Sequence, residues 1–293
     1  MDAIIKFLYA EMERPKPYGW FHLVAVALVI GIIIAIVFTC KNISDKKFRI
    51  ICLTVAGVML AMELYKQLTY SFDPDTGVWD YQWYAFPFQF CSTPMYVLLL
   101  IGLLKPCKFR DFLCSFMATF SIVAGVAVML LPTTVFISQI GINIQTMYHH
   151  GAMIVMGVFV WVAGRAKGNL MTLLKGSAVF LALVSLAFIM NVIYHSTGNP
   201  ETFNMFFIDW HYNCELPVLS IIQEKVPYVI FLFLYIFAFC LAGLIVCSIA
   251  ILIKKVAKII KEKKEQKYIL LEEKNENKES LKTEDKKETN ESK

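Results

Sequence analysis

A thiol and two neighbouring imidazoles are the side chains of this sequence best suited to covalent chemistry. Cys91 lies in the stretch FPFQFCSTP, framed by Pro87 and Pro94, where an apolar run begins. His149 and His150 lie in QTMYHHGAM, at the head of another apolar run. A thiol in apolar surroundings is a poor nucleophile unless a base takes its proton, and histidine is the natural base near neutral pH. We therefore expect the two stretches to face each other, with a histidine acting on Cys91.

The sequence does not choose between the two histidines. Consecutive residues of an α-helix point about 100° apart, so His149 and His150 do not both point at one sulfur. Two plainer interpretations stay open beside the catalytic one. A cysteine in an apolar helix is often a small packing residue, and a histidine near a membrane boundary is often a hydrogen-bonded cap.

The composition identifies the class of protein. Apolar residues make up 58% of the 293 residues, above the roughly 50% that is typical of soluble domains, and the mean hydropathy is +0.59. The apolar residues fall into runs of roughly 20 residues, which is the length that crosses a bilayer as a helix. We predict an all-α, polytopic membrane helix bundle with seven transmembrane spans near residues 18–39, 50–70, 85–104, 112–131, 146–164, 173–194 and 226–253.

The charges between the spans predict the orientation of the chain. Lysine and arginine concentrate in three alternate loops, at residues 41–49, 105–110 and 165–167, whereas the other loops are mainly acidic or uncharged. Under the positive-inside rule, the N-terminus lies outside and the C-terminus lies in the cytoplasm. The predicted parts are an N-terminal interfacial segment (1–17), a seven-span membrane domain (18–253) and a charged, largely disordered cytoplasmic tail (254–293). The net charge of +5 falls between and after the spans, so it does not indicate nucleic-acid binding.

Polar residues collect near the predicted outer face, and polar groups inside a bilayer usually face the bundle interior. Glu63 either orients a histidine or forms an ion pair with Lys66 one turn along the helix. Asp209 and His211 are two residues apart, which is a weak indication of a metal site, and the eight cysteines include no C-x-x-C pair. We therefore predict no metal and no cofactor.

Three short motifs resemble the YwaF family of multi-span membrane proteins, which is similar to the TMEM-type phospholipid acyltransferases. The motifs are YAFPFQFC before the third span, MYHH at the head of the fifth, and NVIYHSTGNPETFNMFF at the end of the sixth. The resemblance covers residues 18–253, and it implies Cys91 as the nucleophile and His149 as its base. The family motif is closer to LPLHLC, so Gln89 stands here where the family commonly has a histidine.

The resemblance implies an acyltransferase that acts on phospholipid or lysophospholipid through a thioester on Cys91. Membrane lipids are then the expected partners, and the bacterial cell membrane is the expected location. The oxyanion of such a reaction needs hydrogen-bond donors, for which Gln89, Ser92 and nearby backbone N–H groups are candidates. The supporting or substrate-binding residues in this interpretation are Glu63, Gln89, Ser92, His150, Asn191 and His195, of which Asn191 and His195 either bind a head group or cap the sixth span.

A transporter or small-molecule binding protein is the alternative, because an outer-facing polar pocket among seven helices has a similar sequence signature. Transport needs no nucleophile, so replacing Cys91 would be tolerated in that case. A covalent chromophore protein is rejected, because such a protein needs a lysine in the middle of the last span and residues 226–253 contain none. The sequence leaves the oligomeric state open.

Overall fold

The structure is a computed structural model that describes the backbone of residues 2–291 and the side chains of residues 5–266. The described residues are almost entirely helical, and their β-structure is confined to two isolated bridges. This confirms the prediction of an all-α fold. The α-helices are α1 (Asp2–Leu8), α2 (Trp20–Thr39), α3 (Asp45–Ser71), α4 (Thr93–Leu103), α5 (Lys108–Phe116), α6 (Ile122–Leu130), α7 (Ile140–Val162), α8 (Leu170–Ser196), α9 (Leu219–Gln223) and α10 (Tyr228–Glu291).

Among the described residues, five helices are long and apolar enough to cross a membrane. They are α2, α3, α8, the part Tyr228–Gln266 of α10, and the continuous helix Lys108–Leu130, in which the π-helical segment Met117–Ser121 joins α5 to α6. The chain is therefore an integral membrane protein of the polytopic α-helical class. The other two predicted spans correspond to α4, which has only 11 residues, and to α7, which has 23 residues and carries several polar side chains.

The predicted third span is only partly helical. Its helix, α4, begins at Thr93 instead of residue 85, after a short 3₁₀ turn (Trp83–Ala85) and an irregular stretch. Proline supplies no N–H, so the backbone around Pro87 finds other partners. The Tyr96 hydroxyl donates to the Pro87 carbonyl at 3.0 Å, and the Ser92 N–H donates to the Gln89 carbonyl at 2.8 Å. The backbone just before Cys91 is therefore irregular.

Helix α7 lies at the centre of the bundle, packed against α2, α3, α6 and the π-helical segment, and most of its side chains are buried. It begins at Ile140, six residues before the predicted span. The Asn143 side chain closes the preceding loop by pairing with both backbone groups of Ile137, and Glu11 forms a β-bridge to Gln139. The histidines therefore lie more than two turns inside α7, and the prediction that they stand at its head is wrong.

One end of the bundle, which we call the arginine end, carries a cluster of charged groups. Asp45 at the start of α3 pairs with Arg110 of α5 and, at 3.4 Å, with Arg165 after α7. Both guanidinium groups also lie over the Phe48 ring. Arg49 donates to the carbonyl oxygens at the end of α4, those of Gly102 and Leu103, at 2.8 Å each. These contacts bring the start of α3 together with the ends of α4 and α7. The opposite end, which we call the histidine end, carries His22, His195 and His211.

The last part of the chain, Ser248–Lys293, forms a compact unit of its own. Within it, exposed i,i+4 ion pairs join Lys258 to Glu262 and Lys261 to Glu265, as expected where a helix becomes rich in lysine and glutamate. The side chains of residues 267–293 lie outside the described residues, so the predicted disorder of the tail (254–293) stays a prediction.

Candidate functional site

Cys91 lies in the turn immediately before α4, and its neighbour Ser92 is the buried N-cap residue of that helix. Such a position sets a thiol beside the positive end of a helix dipole, which favours an anion. The thiol itself is half-buried and is not part of a disulfide.

Glu63 and Lys66 of α3 form a largely buried ion pair, with 2.6 Å between the Lys66 nitrogen and the Glu63 carboxylate. The Gln67 amide donates to the same carboxylate at 2.9 Å and to the Ala85 carbonyl at 2.7 Å. Of the two roles open for Glu63, the structure therefore shows the ion pair. The Lys66 ammonium lies within electrostatic reach of both Cys91 and His149.

The two histidines of α7 are bound differently. His150 Nδ1 lies 2.8 Å from the Thr146 carbonyl oxygen of its own helix. His149 Nδ1 lies 3.3 Å from the amide nitrogen of Gln145, which is also buried. His149 Nε2 is buried and has no hydrogen-bond partner among the described residues. Gln145 is a site residue that the sequence interpretation missed, although its position four residues before His149 on a helix signals the contact.

Cys91 and His149 approach the same group without being bonded to each other. Among the described side chains, no hydrogen bond joins Cys91 to either histidine of α7. Helix α4 packs chiefly against α3, and α7 also packs against α3. The two stretches therefore both adjoin α3.

Gln89 and Asn191 hold the same loop through their side-chain amides. Gln89 donates to the Asn204 carbonyl at 2.8 Å and accepts from the Phe206 N–H at 2.9 Å. Asn191 donates to the Met205 carbonyl at 3.2 Å and accepts from the Met205 N–H at 2.9 Å. Phe206 is fully buried with φ of 60°, a left-handed conformation that costs a bulky residue about 1–2 kcal/mol. The two amides therefore position a strained loop.

His195 also differs from its predicted role of contacting a head group or capping its helix. Its Nε2 lies 2.7 Å from a carboxylate oxygen of Asp209, and Asp209 also contacts His211. The contact with Asp209 therefore occupies His195 Nε2, the ring nitrogen that a head group would otherwise bind.

An apolar groove with a volume of about 510 Å³ runs between α2 and α7. Val24 and Val29 line it from α2, and Tyr148 and Gly151 line it from α7. These last two residues immediately flank His149 and His150 in the sequence, so one helix borders both the groove and the buried histidines.

Fold and site together define an integral membrane protein whose helices enclose a thiol, a buried ion pair and a buried histidine. The chain matches the TMEM164 family over residues 17–247. It therefore belongs to the TMEM164 family. No curated protein and no solved structure matches the chain.

Proposed function

We propose that the protein is a membrane-embedded acyltransferase of the YwaF-like kind, which transfers an acyl chain between phospholipids through Cys91 and His149. The observation that carries the proposal is the buried, unpartnered Nε2 of His149. Leaving such a nitrogen unpaired costs about 1–3 kcal/mol, and a group of this kind in a native fold calls for a functional reason. Here it lies on α7, which packs against α3 as the Cys91 helix α4 does.

The hydrogen bonds favour His149 over His150 as the base. His150 is held by a backbone carbonyl of its own helix, whereas His149 keeps a free ring nitrogen inside the bundle. A base needs an unprotonated nitrogen, so the proton of neutral His149 must lie on Nδ1. The Gln145 amide oxygen would accept the hydrogen bond from that N–H. A rotation of the side-chain amide places its oxygen where its nitrogen now lies, and the two atoms are nearly equivalent in shape.

In the proposed reaction, His149 Nε2 takes the proton of the Cys91 thiol as the sulfur attacks the ester carbonyl of a donor lipid. The tetrahedral intermediate collapses, the C–O bond breaks, and His149 returns the proton to the departing lipid alkoxide. The acyl chain then remains as a thioester on Cys91. His149 next takes the proton of a lysophospholipid hydroxyl, whose oxygen attacks the thioester. The C–S bond breaks, the thiol is restored and a new ester is formed.

Three features around the thiol support this chemistry. The N-terminus of α4 provides backbone N–H groups for the oxyanion, and the Ser92 side chain lies beside them. Lys66 is a positive charge that favours the thiolate, and the Glu63 carboxylate, which fixes its position, offsets part of that effect. The groove between α2 and α7 is apolar enough for an acyl chain. Membrane lipids are thus the proposed substrates and partners.

We further propose seven membrane crossings, with the N-terminus outside and the C-terminus in the cytoplasm of a bacterial cell. Contacts at the arginine end support this arrangement, because the ends of α4 and α7 meet the start of α3 there. Helix α4 and the irregular stretch before it would then form one crossing, and α7 another. Irregular backbone at membrane depth is tolerated where protein buries it, as around Cys91.

A lipid-like thiol-reactive probe tests the proposal on membranes that contain the protein. We expect labelling at Cys91, located by mass spectrometry, to vanish in Cys91→Ser and to fall about tenfold or more in His149→Ala. Cys240→Ser is the matched control, since Cys240 is a half-buried thiol that makes a weak hydrogen bond to Ser177 at 3.9 Å. It should label as the wild type does. Equal labelling of wild type and His149→Ala would contradict the proposal and favour the alternative, a transporter or small-molecule binding protein without covalent chemistry.

A further inference from the structure

Three side chains with metal-binding atoms converge at the histidine end. His195 comes from the last turn of α8, whereas Asp209 and His211 come from the loop that follows the 3₁₀ turn Met205–Phe207. One ligand atom of each lies within 4.8 Å of the other two. We call these three residues the His–Asp–His cluster. Sequence spacing alone indicates only the pair Asp209 and His211, because His195 is 14 residues from Asp209 and joins the pair only on folding.

The loop fixes Asp209 in an unusual environment. Its side chain is fully buried, and it lies 2.7 Å from His195 Nε2 and 3.0 Å from His211 Nδ1. Its backbone N–H donates to the Asn204 side chain at 3.0 Å, and its carboxylate accepts from the His211 N–H at 2.8 Å. A buried carboxylate needs a compensating charge. In the part of the chain whose side chains are described, its ion-pair partners are these two histidines, with no lysine or arginine among them.

We propose that the His–Asp–His cluster binds a divalent transition metal, with zinc as the best fit. Two imidazoles and one carboxylate match the donors that zinc takes in sites with three protein ligands, which leave a fourth position open. Bonds of about 2.0–2.2 Å in a tetrahedral site separate the ligand atoms by roughly 3.3 Å. The two histidine–carboxylate separations of 2.7 and 3.0 Å therefore lie within about 0.6 Å of that spacing. The metal supplies the positive charge that Asp209 needs, and it displaces the protons on the two facing nitrogens.

The surroundings allow a metal to enter and give it a structural consequence. His211 is 46% exposed and borders a cavity of about 250 Å³ that is also lined by Trp210 and Gln223. A metal bound here would join the end of α8 to the loop that Gln89 and Asn191 hold. The strained loop would then be held by Gln89 and Asn191 and also by the metal. This role does not depend on the acyl transfer proposed for Cys91.

Metal titration of the full-length protein in detergent, with any affinity tag removed, tests this proposal. We expect one zinc ion per chain, and cobalt in its place should give the visible absorption bands of a tetrahedral site. His211→Gln and Asp209→Asn should each lower zinc affinity about tenfold or more. Asp75→Asn is the matched control, because it removes an exposed carboxylate from another loop at the same end, and it should bind zinc as the wild type does.

The decision rests on His211→Gln, because its half-exposed side chain is replaceable without disturbing the core, and a melting curve verifies that the variant is folded. Asp209→Asn adds support only where it too is folded. The proposal is overturned if the folded wild type takes up no zinc at micromolar concentrations. It is equally overturned if folded His211→Gln keeps both the zinc affinity and the cobalt spectrum of the wild type. Either result would leave the cluster as a hydrogen-bonded clasp.

Discussion

At the scale of single residues, Gln145 decides which nitrogen of His149 is free to act. The Gln145 amide lies 3.3 Å from His149 Nδ1, so its orientation sets which ring nitrogen carries the proton. We expect Gln145→Leu to lower the acyl-transfer rate about tenfold to hundredfold, while Gln145→Glu, which also offers an oxygen to Nδ1–H, restores it. The pH profile of the rate measures the effect, since a lost tautomer preference moves the profile and a packing defect does not.

Gln139→Leu is the matched control for this variant. Gln139 precedes the same helix, and its side chain makes no capping bond there. An equal loss of rate in the two variants would show that α7 tolerates no apolar replacement and that Gln145 has no special role.

Cys214 matters to any thiol experiment because it is a buried thiol outside the membrane-spanning helices, in the loop before α9. Burial raises the pKa of Cys214 above its usual value. A raised pKa means less thiolate at neutral pH, so alkylation of Cys214 should be slower than that of the exposed Cys107. Mass spectrometry of the alkylated protein at stepped pH measures this. The rate at Cys214 should keep rising above about pH 8.5, where an ordinary thiol levels off. A plateau there would mean that access alone limits the reaction.

At the scale of elements, close helix contact positions α7 and its histidines. A Cβ atom added to Gly157 would lie 2.6 Å from the Met117 carbonyl oxygen and would overlap the Ile122 side chain. Both neighbours belong to the helix that contains the π-helical segment. Small residues at such crossings let membrane helices approach closely. We expect Gly157→Ala to lower the free energy of unfolding by about 1–3 kcal/mol, measured by melting in detergent.

Gly57→Ala provides the contrast to Gly157→Ala. Gly57 lies inside α3 with open space where its Cβ would be, so alanine should be neutral or stabilise the protein by up to about 1 kcal/mol. Equal destabilisation by both variants would argue against the close contact between α7 and Met117.

Whether the sequence predicts the bounds of a helix depends on the interaction that sets those bounds. Apolar runs locate α2, α3, α8 and the helix Lys108–Leu130 to within a few residues, because membrane burial selects them directly. The starts of α4 and α7 are missed because turn geometry and contacts with distant residues set them. Pro94 and the Gln89 carbonyl define one start, and the pairing of Glu11 with Gln139 defines the other.

The site was predictable to a similar degree. The thiol and the histidine pair stand out by residue type and position, whereas their connection through Lys66 does not. Gln89 and Asn191 look like polar ligands in a sequence, but long-range bonds to the 3₁₀ turn Met205–Phe207 occupy them. Those bonds span 117 and 14 residues, so no local pattern reveals them.

At the scale of the whole molecule, the arginine end holds three parts of the chain together. Arg110 is buried and pairs with Asp45, so Asp45→Asn leaves a buried charge without its partner. We expect a loss of about 1–3 kcal/mol in the free energy of unfolding, less than for a fully buried pair because Asp45 is 31% exposed. Asp111→Asn is the control, since its 3.8 Å pair with Lys175 is exposed, and it should change stability by less than about 1 kcal/mol. Equal losses of stability in Asp45→Asn and Asp111→Asn would contradict the stabilising role of the pair between Asp45 and Arg110.

The side of the membrane on which Cys107 lies distinguishes seven crossings from five, because this exposed thiol falls between α4 and α5. If α4 and α7 both complete crossings, the chain crosses seven times and Cys107 faces the cytoplasm. If only the five longest helices cross, the whole stretch between α3 and α5 stays outside and Cys107 faces out. The basic residues around Cys107 favour the cytoplasmic side, and so do the bonds from Arg49 to the end of α4.

Labelling of intact cells with a membrane-impermeant maleimide separates these two arrangements, with Cys107→Ser identifying the signal of that residue. We expect Cys107 to be protected until the cells are permeabilised. Thr76→Cys, in the loop after α3, should label in intact cells under either arrangement, and Cys40, at the end of α2, should not. Strong labelling of Cys107 in intact cells would establish five crossings. The stretch that carries Cys91 would then lie wholly outside, and His149 would lie on the cytoplasmic side. Cys91 and His149 could not form one site in that arrangement.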